Sequence, residues 1–287
     1  MSAIVIDGKQ IARDIREEIK NEVAELQQQG FRPGLAVILV GEDPGSQSYV
    51  KGKEKGCEEV GIYSRVIRKP DTISQAELLE MIEELNADEQ IHGILVQLPL
   101  PSHISEQAVI DTISPLKDVD GFTPINIGNM LIGAECFLPC TPHGIVEMVK
   151  RIGVPIAGKQ VVVVGRSNIV GKPVSMLMLQ ENATVSICHS KTENLAGITK
   201  QADILIVAVG RAKMIGAEHV KPGAVVIDVG VNRLEGKKLV GDVRFDEVKE
   251  IASHITPVPG GVGPMTITML LKNTLEAGKR AAKAKVL

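Results

Sequence analysis

The sequence predicts an α/β protein of two domains, and three observations carry that prediction. Strand-like apolar runs alternate with stretches of helical apolar spacing in both halves of the chain, which implies parallel pairing and helices layered on sheets. The alternation breaks once, over residues 117–144, where Gly, Pro, Asn and Asp accumulate. The length, 287 residues, exceeds the usual size of one domain and allows two cores.

The elements follow in order. "KQIARDIREEIKNEVAELQQQG" holds apolar residues at helical spacing and stops at Gly30, and "GLAVILVG" is a short continuous apolar strand. "SYVKGKEKGC", residues 48–57, is expected to be helical, followed by the strand "YSRVIRK", the helix "ISQAELLEMIEELNAD" and the strand "IHGILVQLPL". The irregular stretch "KDVDGFTPINIGNMLIGAECFLPCTPHG" marks the domain boundary. Beyond it "IVEMVKRIG" reads as a helix, and "KQVVVVG", "ATVSICHS", "ADILIVAVG" and "GAVVIDVGV" are four β-branched strands with short helical segments between them. The tail "MTITMLLKNTLEAGKRAAKAKVL" is one long amphipathic helix. No internal repeat is present, which excludes a solenoid.

Composition excludes several classes of function. A hydrophobic content of 44% with 23% charged residues is that of a soluble globular protein. The net charge of -3, with signs interspersed, gives no electrostatic reason to expect nucleic acid or an anionic membrane as partner. No apolar run approaches the roughly 20 residues that span a bilayer. The opening residues mix acids and bases from Asp7 onward and offer no signal-peptide core. Cys57, Cys136, Cys140 and Cys188 lack zinc-like paired spacing, so no metal is expected and the thiols read as reduced and mostly buried. The cytoplasm is the expected compartment.

Tyr49 and Lys53 stand four residues apart, so a helix presents them side by side, either as a surface accident or as an acid/base pair. Gln97 closes the apolar run of its strand, at the end that faces the ligand crevice of an open α/β sheet. Alone, such an amide is more often a loop anchor. Asp118 and Asp120 in "KDVDGF" are each, singly, good turn residues before Gly121. "VVVVGRSNIVGKP" is a buried strand, a Gly-Arg-Ser turn and a helix, the arrangement in which a Rossmann-like unit holds a phosphate. Ser167 stands where a second glycine is usual, so the bare pattern is weak and its context carries it. The next strand ends in Cys188, His189, Ser190 and Lys191 with no carboxylate for a ribose hydroxyl. That favours NADP over NAD, with Arg166 and Ser190 able to donate to a 2′-phosphate. "ITPVPGGVGPMT" fixes an unusual backbone path between strand and helix, as ligand loops do. His143, at a helix start, reads as a capping or junction residue, and no Ser/His/Asp triad is identifiable.

Together "SYVKGKEKGCEEVGI", "GILVQLPLP", "KDVDGFTPINIG", "FLPCTPHGI", "VVVVGRSNIVGKP", "CHSKT" and "PVPGGVGPMTITML" closely resemble the bifunctional methylenetetrahydrofolate dehydrogenase/cyclohydrolase family, nearly end to end. The resemblance implies an N-terminal folate-binding catalytic domain over 1–140 and an NADP-binding Rossmann-like domain over 141–265. It also implies a helix over 266–287 returning to the first domain, and a cleft between the two. It implies that Tyr49, Lys53, Gln97 and Asp120 are catalytic and bind folate, with Leu98, Pro99, Pro257, Gly260 and Gly261 also lining the substrate. Thr141, Gly165, Arg166, Ser167, Ile169, Val170, His189, Ser190 and Val231 are implied to contact NADP. Tetrahydrofolate derivatives are the implied substrates. The implied assembly is a homodimer, for which "ADILIVAVG" to "GAVVIDVGV" is an expected apolar face. Two rivals stand beside this reading. A short-chain dehydrogenase also carries Tyr-x-x-x-Lys, but there the glycine turn precedes the pair. A non-catalytic dinucleotide sensor has no use for Lys, Gln and Asp around one site.

Overall fold

The computed structural model describes residues 2–234 and 239–286. Met1, residues 235–238 and Leu287, which fall within the expected domains, lie outside the described residues. The chain forms two compact units: Met1–Arg13 with Thr141–Thr266, and Asp14–Cys140 with Ile267–Leu287. The first thirteen residues thus group with the dinucleotide half rather than with the sequence that follows them.

A two-residue strand, β1 (Ile4–Val5), precedes helix α1 (Gly8–Gln28). Asp7 Oδ1 accepts from the N–H groups of Lys9 and Gln10 at 3.0 Å each and so caps α1. Ile15, Ile19, Val23 and Leu26, spaced at one helical turn, are all buried. Next come β2 (Gly34–Val40), α2 (Pro44–Val60), β3 (Tyr63–Lys69), α3 (Gln75–Ala87) and β4 (Gly93–Val96). They build a parallel three-stranded sheet in the order β3-β2-β4, with β2 buried along its whole length. Its core packs Ala36, Ile38 and Val40 against Leu78, Ile82 and Leu85. Helix α2 starts on Asp43, whose carboxylate accepts from Ser46 N at 2.7 Å, and stops at Gly61 with φ 84°. Helix α3 opens with a Ser74/Glu77 capping box.

Two short helices follow, α4 (Glu106–Thr112) and α5 (Pro124–Ile132). The second corrects the reading of 117–144 as wholly irregular. Thr123 caps α5, Pro124 occupies its first turn and Gly133, at φ 73°, ends it. A helix this short is specified by its punctuation before any periodicity can register.

The remaining elements are α6 (Cys140–Arg151), β5 (Gln160–Val164), α7 (Gly171–Gln180), β6 (Thr184–Cys188), α8 (Leu195–Thr199) and β7 (Ile204–Val207). They are followed by β8 (Val225–Asp228), β9 (Asn232–Arg233), β10 (Leu239–Val240), α9 (Phe245–Lys249), β11 (His254–Ile255) and α10 (Val262–Val286). Six strands make one parallel sheet in the order β1-β11-β8-β7-β5-β6. The chain leaves β5 to one side for β6 and returns on the other for β7, which makes the carboxyl ends of β5 and β7 a topological switch point. Strands β7 and β8 are fully buried in the middle of this sheet. They therefore offer no exposed apolar face, contrary to the expectation for a dimer surface, because interior parallel strands are covered on both sides. The sheet edges are β6 and β1. All four cysteines are free thiols, and burial pushes Cys57 up to about 12. Among the described residues no helix is long and apolar enough to cross a membrane.

Candidate active site

In the unit that holds the three-stranded sheet, α2 carries Tyr49 and Lys53 one turn apart, as their spacing predicts. Tyr49 is 44% exposed, whereas Lys53 is 7% exposed. Lys53 Nζ donates to Gln97 Oε1 at 2.8 Å, just beyond the end of β4. Gln97 is itself held, donating from Nε2 to Leu98 O at 2.7 Å and from its backbone to Ile38 O at 2.9 Å. Burial lowers the Lys53 ammonium below its ordinary value of 10.5, against the opposing pull of Asp120 and then Cys140. Burial pushes the Asp120 carboxyl up to about 6, with Lys53 opposing and Asp118 reinforcing. The Cys140 thiol lies well above its ordinary value, for burial and for its nearness to Asp120.

The structure separates the two aspartates that turn chemistry alone leaves equivalent. Asp118 accepts from the N–H groups of Gly121 at 2.9 Å, Phe122 at 3.2 Å and Thr123 at 2.7 Å, and from Asn126 Nδ2 at 2.8 Å. Its carboxylate is consumed in fastening the turn. Gly121, at φ 76°, lets that turn close: a Cβ there would stand 2.7 Å from Phe137 O. Asp120 is left to face Lys53.

In the unit that holds the six-stranded sheet, β5 runs into Gly165, whose φ is 133° and whose Cβ, if present, would lie 2.2 Å from Ala208 O. A Cβ on Gly171 would lie 2.3 Å from Gly165 O. Both positions demand glycine, and the turn between them leaves Arg166, Ser167 and Ile169 exposed, with Val170 partly so. Ser167 Oγ accepts from the N–H groups of Val170 and Gly171 at 3.2 Å each, which explains a serine where a second glycine is usual. After β6, His189 N donates to Thr192 Oγ1 at 2.8 Å, and His189 Nδ1 accepts from Lys191 N at 3.2 Å, leaving Ser190 exposed. Val231 is exposed, and Thr141 shares a 2.8 Å hydroxyl hydrogen bond with Thr266. A bare-backbone turn at a switch point, with a guanidinium and a serine hydroxyl exposed and no carboxylate ending β6, fits a phosphorylated dinucleotide. Pro257, Gly260 and Gly261 belong to this same unit, where a Cβ on Gly8 would stand 1.9 Å from Gly261 O.

Sequence reasoning missed the buried pair Asp228 and Asp242 in this unit, and Asn126 and Asn273 in the other. The signal for Asp228 was available, as a carboxylate inside the apolar run "VVIDVG". The two asparagines carry no such pattern. Among the described residues no cluster of His, Cys, Asp and Glu could hold a metal ion.

Fold and site together are those of an α/β protein with a dinucleotide-type glycine turn in one unit and a buried, hydrogen-bonded lysine in the other. Comparison with known proteins narrows the class. Residues 6–120 match the family model described as the tetrahydrofolate dehydrogenase/cyclohydrolase catalytic domain, and residues 139–282 match the NAD(P)-binding domain of the same family. The chain is 66% identical over 283 residues to the bifunctional protein FolD of Brevibacillus brevis, covering 99% of this chain and 100% of that one. It is 67% identical over 282 residues to its Geobacillus thermodenitrificans counterpart, covering 98% and 99%. The crystal structure of bifunctional FolD from Campylobacter jejuni superposes with a TM-score of 0.95 at 50% identity, covering 97% and 99% of the two chains. The Trypanosoma brucei enzyme, solved with NADP cofactor and inhibitor, gives 0.94 at 41% identity, covering 99% of each. The chain belongs to the tetrahydrofolate dehydrogenase/cyclohydrolase family. It is a bifunctional methylenetetrahydrofolate dehydrogenase and methenyltetrahydrofolate cyclohydrolase, as the seven motifs imply.

Proposed function

We propose that both activities use one folate site built on Tyr49, Lys53, Gln97 and Asp120, with NADP as the oxidant. The observation that carries this reading is the 2.8 Å hydrogen bond between buried Lys53 and Gln97 beside Asp120. NADP, when bound, accepts the hydride that leaves the bridging carbon of 5,10-methylenetetrahydrofolate. The adjacent nitrogen lone pairs supply the push, so the chain provides no base for this step. Its task is to hold the folate in a reactive pose and not oppose the cationic methenyl product. A lysine whose charged form burial disfavours serves that second requirement better than a permanently charged one.

Hydrolysis does need proton transfers. Water adds to the methenyl carbon and gives one proton to neutral Lys53; as the ring C–N bond breaks, Lys53 returns that proton to the folate nitrogen and the hydroxyl's remaining proton leaves to solvent, giving 10-formyltetrahydrofolate. Gln97 holds the amine by accepting its N–H. Tyr49 packs on the folate, Asp120 accepts from pterin N–H groups, and Leu98 and Pro99 line the substrate. Pro257, Gly260 and Gly261 are assigned to the substrate as well. In the dinucleotide unit Gly165, Ser167, Ile169 and Val170 supply the phosphate turn, while Arg166 and Ser190 meet the 2′-phosphate. Thr141, His189 and Val231 complete the NADP contacts.

Two further assignments belong to this proposal. The chain works as a homodimer, supported by the open edge strand β6, where Ile187 is 38% exposed. It works in the cytoplasm, supported by its free thiols. Light scattering of the parent and of Ile187→Glu tests the first, with loss of the dimer in the variant as the expected result.

The test of function is a two-signal assay that follows NADPH formation and methenyltetrahydrofolate loss separately. Turnover in both signals is expected. A dinucleotide sensor gives neither.

A further inference from the structure

The C-terminal helix brings one polar side chain into the folate unit that the scheme above leaves unused. Asn273 is 5% exposed, and its Nδ2 donates to Val119 O at 2.8 Å and to Leu138 O at 2.9 Å. Each of the two amide hydrogens thus has its own carbonyl. The first belongs to the residue immediately before Asp120. The second belongs to the segment that runs on to Cys140, whose Sγ lies 3.7 Å from the same nitrogen and donates to Val119 O at 3.3 Å. The two backbone segments press together at Gly121, where no Cβ fits. A forked donor is what this junction requires. Leucine donates nothing, and aspartate would set a carboxylate against two carbonyl oxygens.

We propose that Asn273 is a positioning residue of the folate site: by clamping the carbonyls of Val119 and Leu138 it fixes where the Asp120 carboxylate stands relative to Lys53. The inference rests on the folate-site reading above. Asp120 reaches Lys53 through space and follows Val119 directly in the chain, so loosening that carbonyl swings the carboxylate. The ionisable groups that bear on Asp120 are Lys53, Asp118 and Cys140, and those that bear on Lys53 are Asp120 and Cys140. Asp118 is pinned by its four hydrogen bonds and stays in place. Asp120 is held instead through the Cys140 thiol that hydrogen-bonds it and through the backbone that follows Val119.

The sign of the effect is fixed by the charges. Asp120 stabilises protonated Lys53, so withdrawing it makes the amine easier to deprotonate. The acid limb of the cyclohydrolase pH profile, where neutral Lys53 is the active form, moves to lower pH, by up to about one unit. A change confined to folding would leave that limb in place.

The experiment compares the full-length parent, Asn273→Leu, Asn273→Ser and Asp120→Asn. It measures cyclohydrolase kcat, KM and pH profile with methenyltetrahydrofolate, and NADP affinity by fluorescence titration. Asn273→Leu is expected to lose about 10- to 100-fold in kcat. Its acid limb moves down in pH in the same sense as that of Asp120→Asn, and NADP affinity is unchanged. If leucine does not fold, Asn273→Ser, which leaves room for water at the two carbonyls, is judged by the same criteria. An unmoved acid limb in the folded Asn273 variant, with a displaced one in Asp120→Asn, overturns the positioning role alone. An unmoved limb in Asp120→Asn itself overturns the folate-site assignment and the positioning role with it.

Discussion

Two carboxyls, one in each unit, are pushed by desolvation to the same value and meet different partners. Asp120 and Asp228 both reach about 6. Asp120 has Lys53 as the strongest influence opposing its burial. Asp228 instead accepts from three backbone groups, Gly230 N at 3.0 Å, Asp242 N at 2.9 Å and Val243 N at 2.9 Å. Its neighbour Asp242 does the same for Val209 N at 2.7 Å and Gly210 N at 2.9 Å, and takes Asn232 Nδ2 at 2.9 Å. These bonds fasten the loops that leave β7 and β8. A raised carboxyl therefore marks burial, and only its partners tell chemistry from architecture.

The sharpest way to break that comparison is at the partner of Asp120. Lys53→Met keeps most of the stem volume and deletes the amine. Hydrolysis is expected to fall by about 100- to 10,000-fold, the range general acid/base catalysis supplies. Hydride transfer survives at a reduced level, so methenyltetrahydrofolate accumulates during turnover. Lys53→Arg retains the charge without a releasable proton and is expected to lose hydrolysis too. Parent rates of hydrolysis in both variants would remove Lys53 from proton transfer and make Asp120 as architectural as Asp228.

The next test reads the two carboxyls through stability. The folded value of Asp228, about 6, lies above its ordinary 3.8. Its contribution to stability is therefore fully present below the lower value and lost as pH rises through the upper one. Between about pH 7 and about pH 4 the parent should gain about 2 kcal/mol relative to Asp228→Asn, measured as the difference in urea unfolding free energies. Asp120 is present in both proteins and cancels. In the matching experiment Asp120→Asn should show the same sense of pH dependence and also alter hydrolysis. Asp228→Asn should leave the acid limb of hydrolysis where it is.

The legibility of the sequence divides along the same line. The helices and strands with strong periodicity, α1, β2, α3 and β5 to β8, were readable because an extended apolar pattern specifies them. Strands β1 and β11, of two residues each, and helix α5 were not, since they are too short to carry a period. The helical pairing of Tyr49 with Lys53 followed from spacing alone. The division of labour between Asp118 and Asp120 did not, because both satisfy the same turn chemistry and only the four donors around Asp118 distinguish them. Asn273 was invisible for a further reason: its partners are main-chain carbonyls 154 and 135 residues away, and no local pattern records them. The grouping of residues 1–13 with the six-stranded sheet rests on β1 pairing with β11, again a long-range fact.

The smallest expected effect falls on the dinucleotide unit, where Arg166 and Ser190 are exposed whereas Lys53 of the folate unit is buried. Arg166 lies open to solvent beside the glycine turn, and β6 ends without a carboxylate. A 2′-phosphate held there gains a charge-assisted, bidentate contact that NAD cannot make. Arg166→Ala should therefore shrink the NADP-over-NAD preference in kcat/KM by about 1.5 to 3 kcal/mol, roughly one order of magnitude or two, with little change for NAD itself. Solvent screens an exposed contact, so the loss should diminish as ionic strength rises, which a buried pair such as Lys53 and Asp120 would resist. A ratio unmoved by the substitution would take the 2′-phosphate away from Arg166 and give the selectivity to Ser190 and Lys191, where Ser190→Ala becomes the deciding variant.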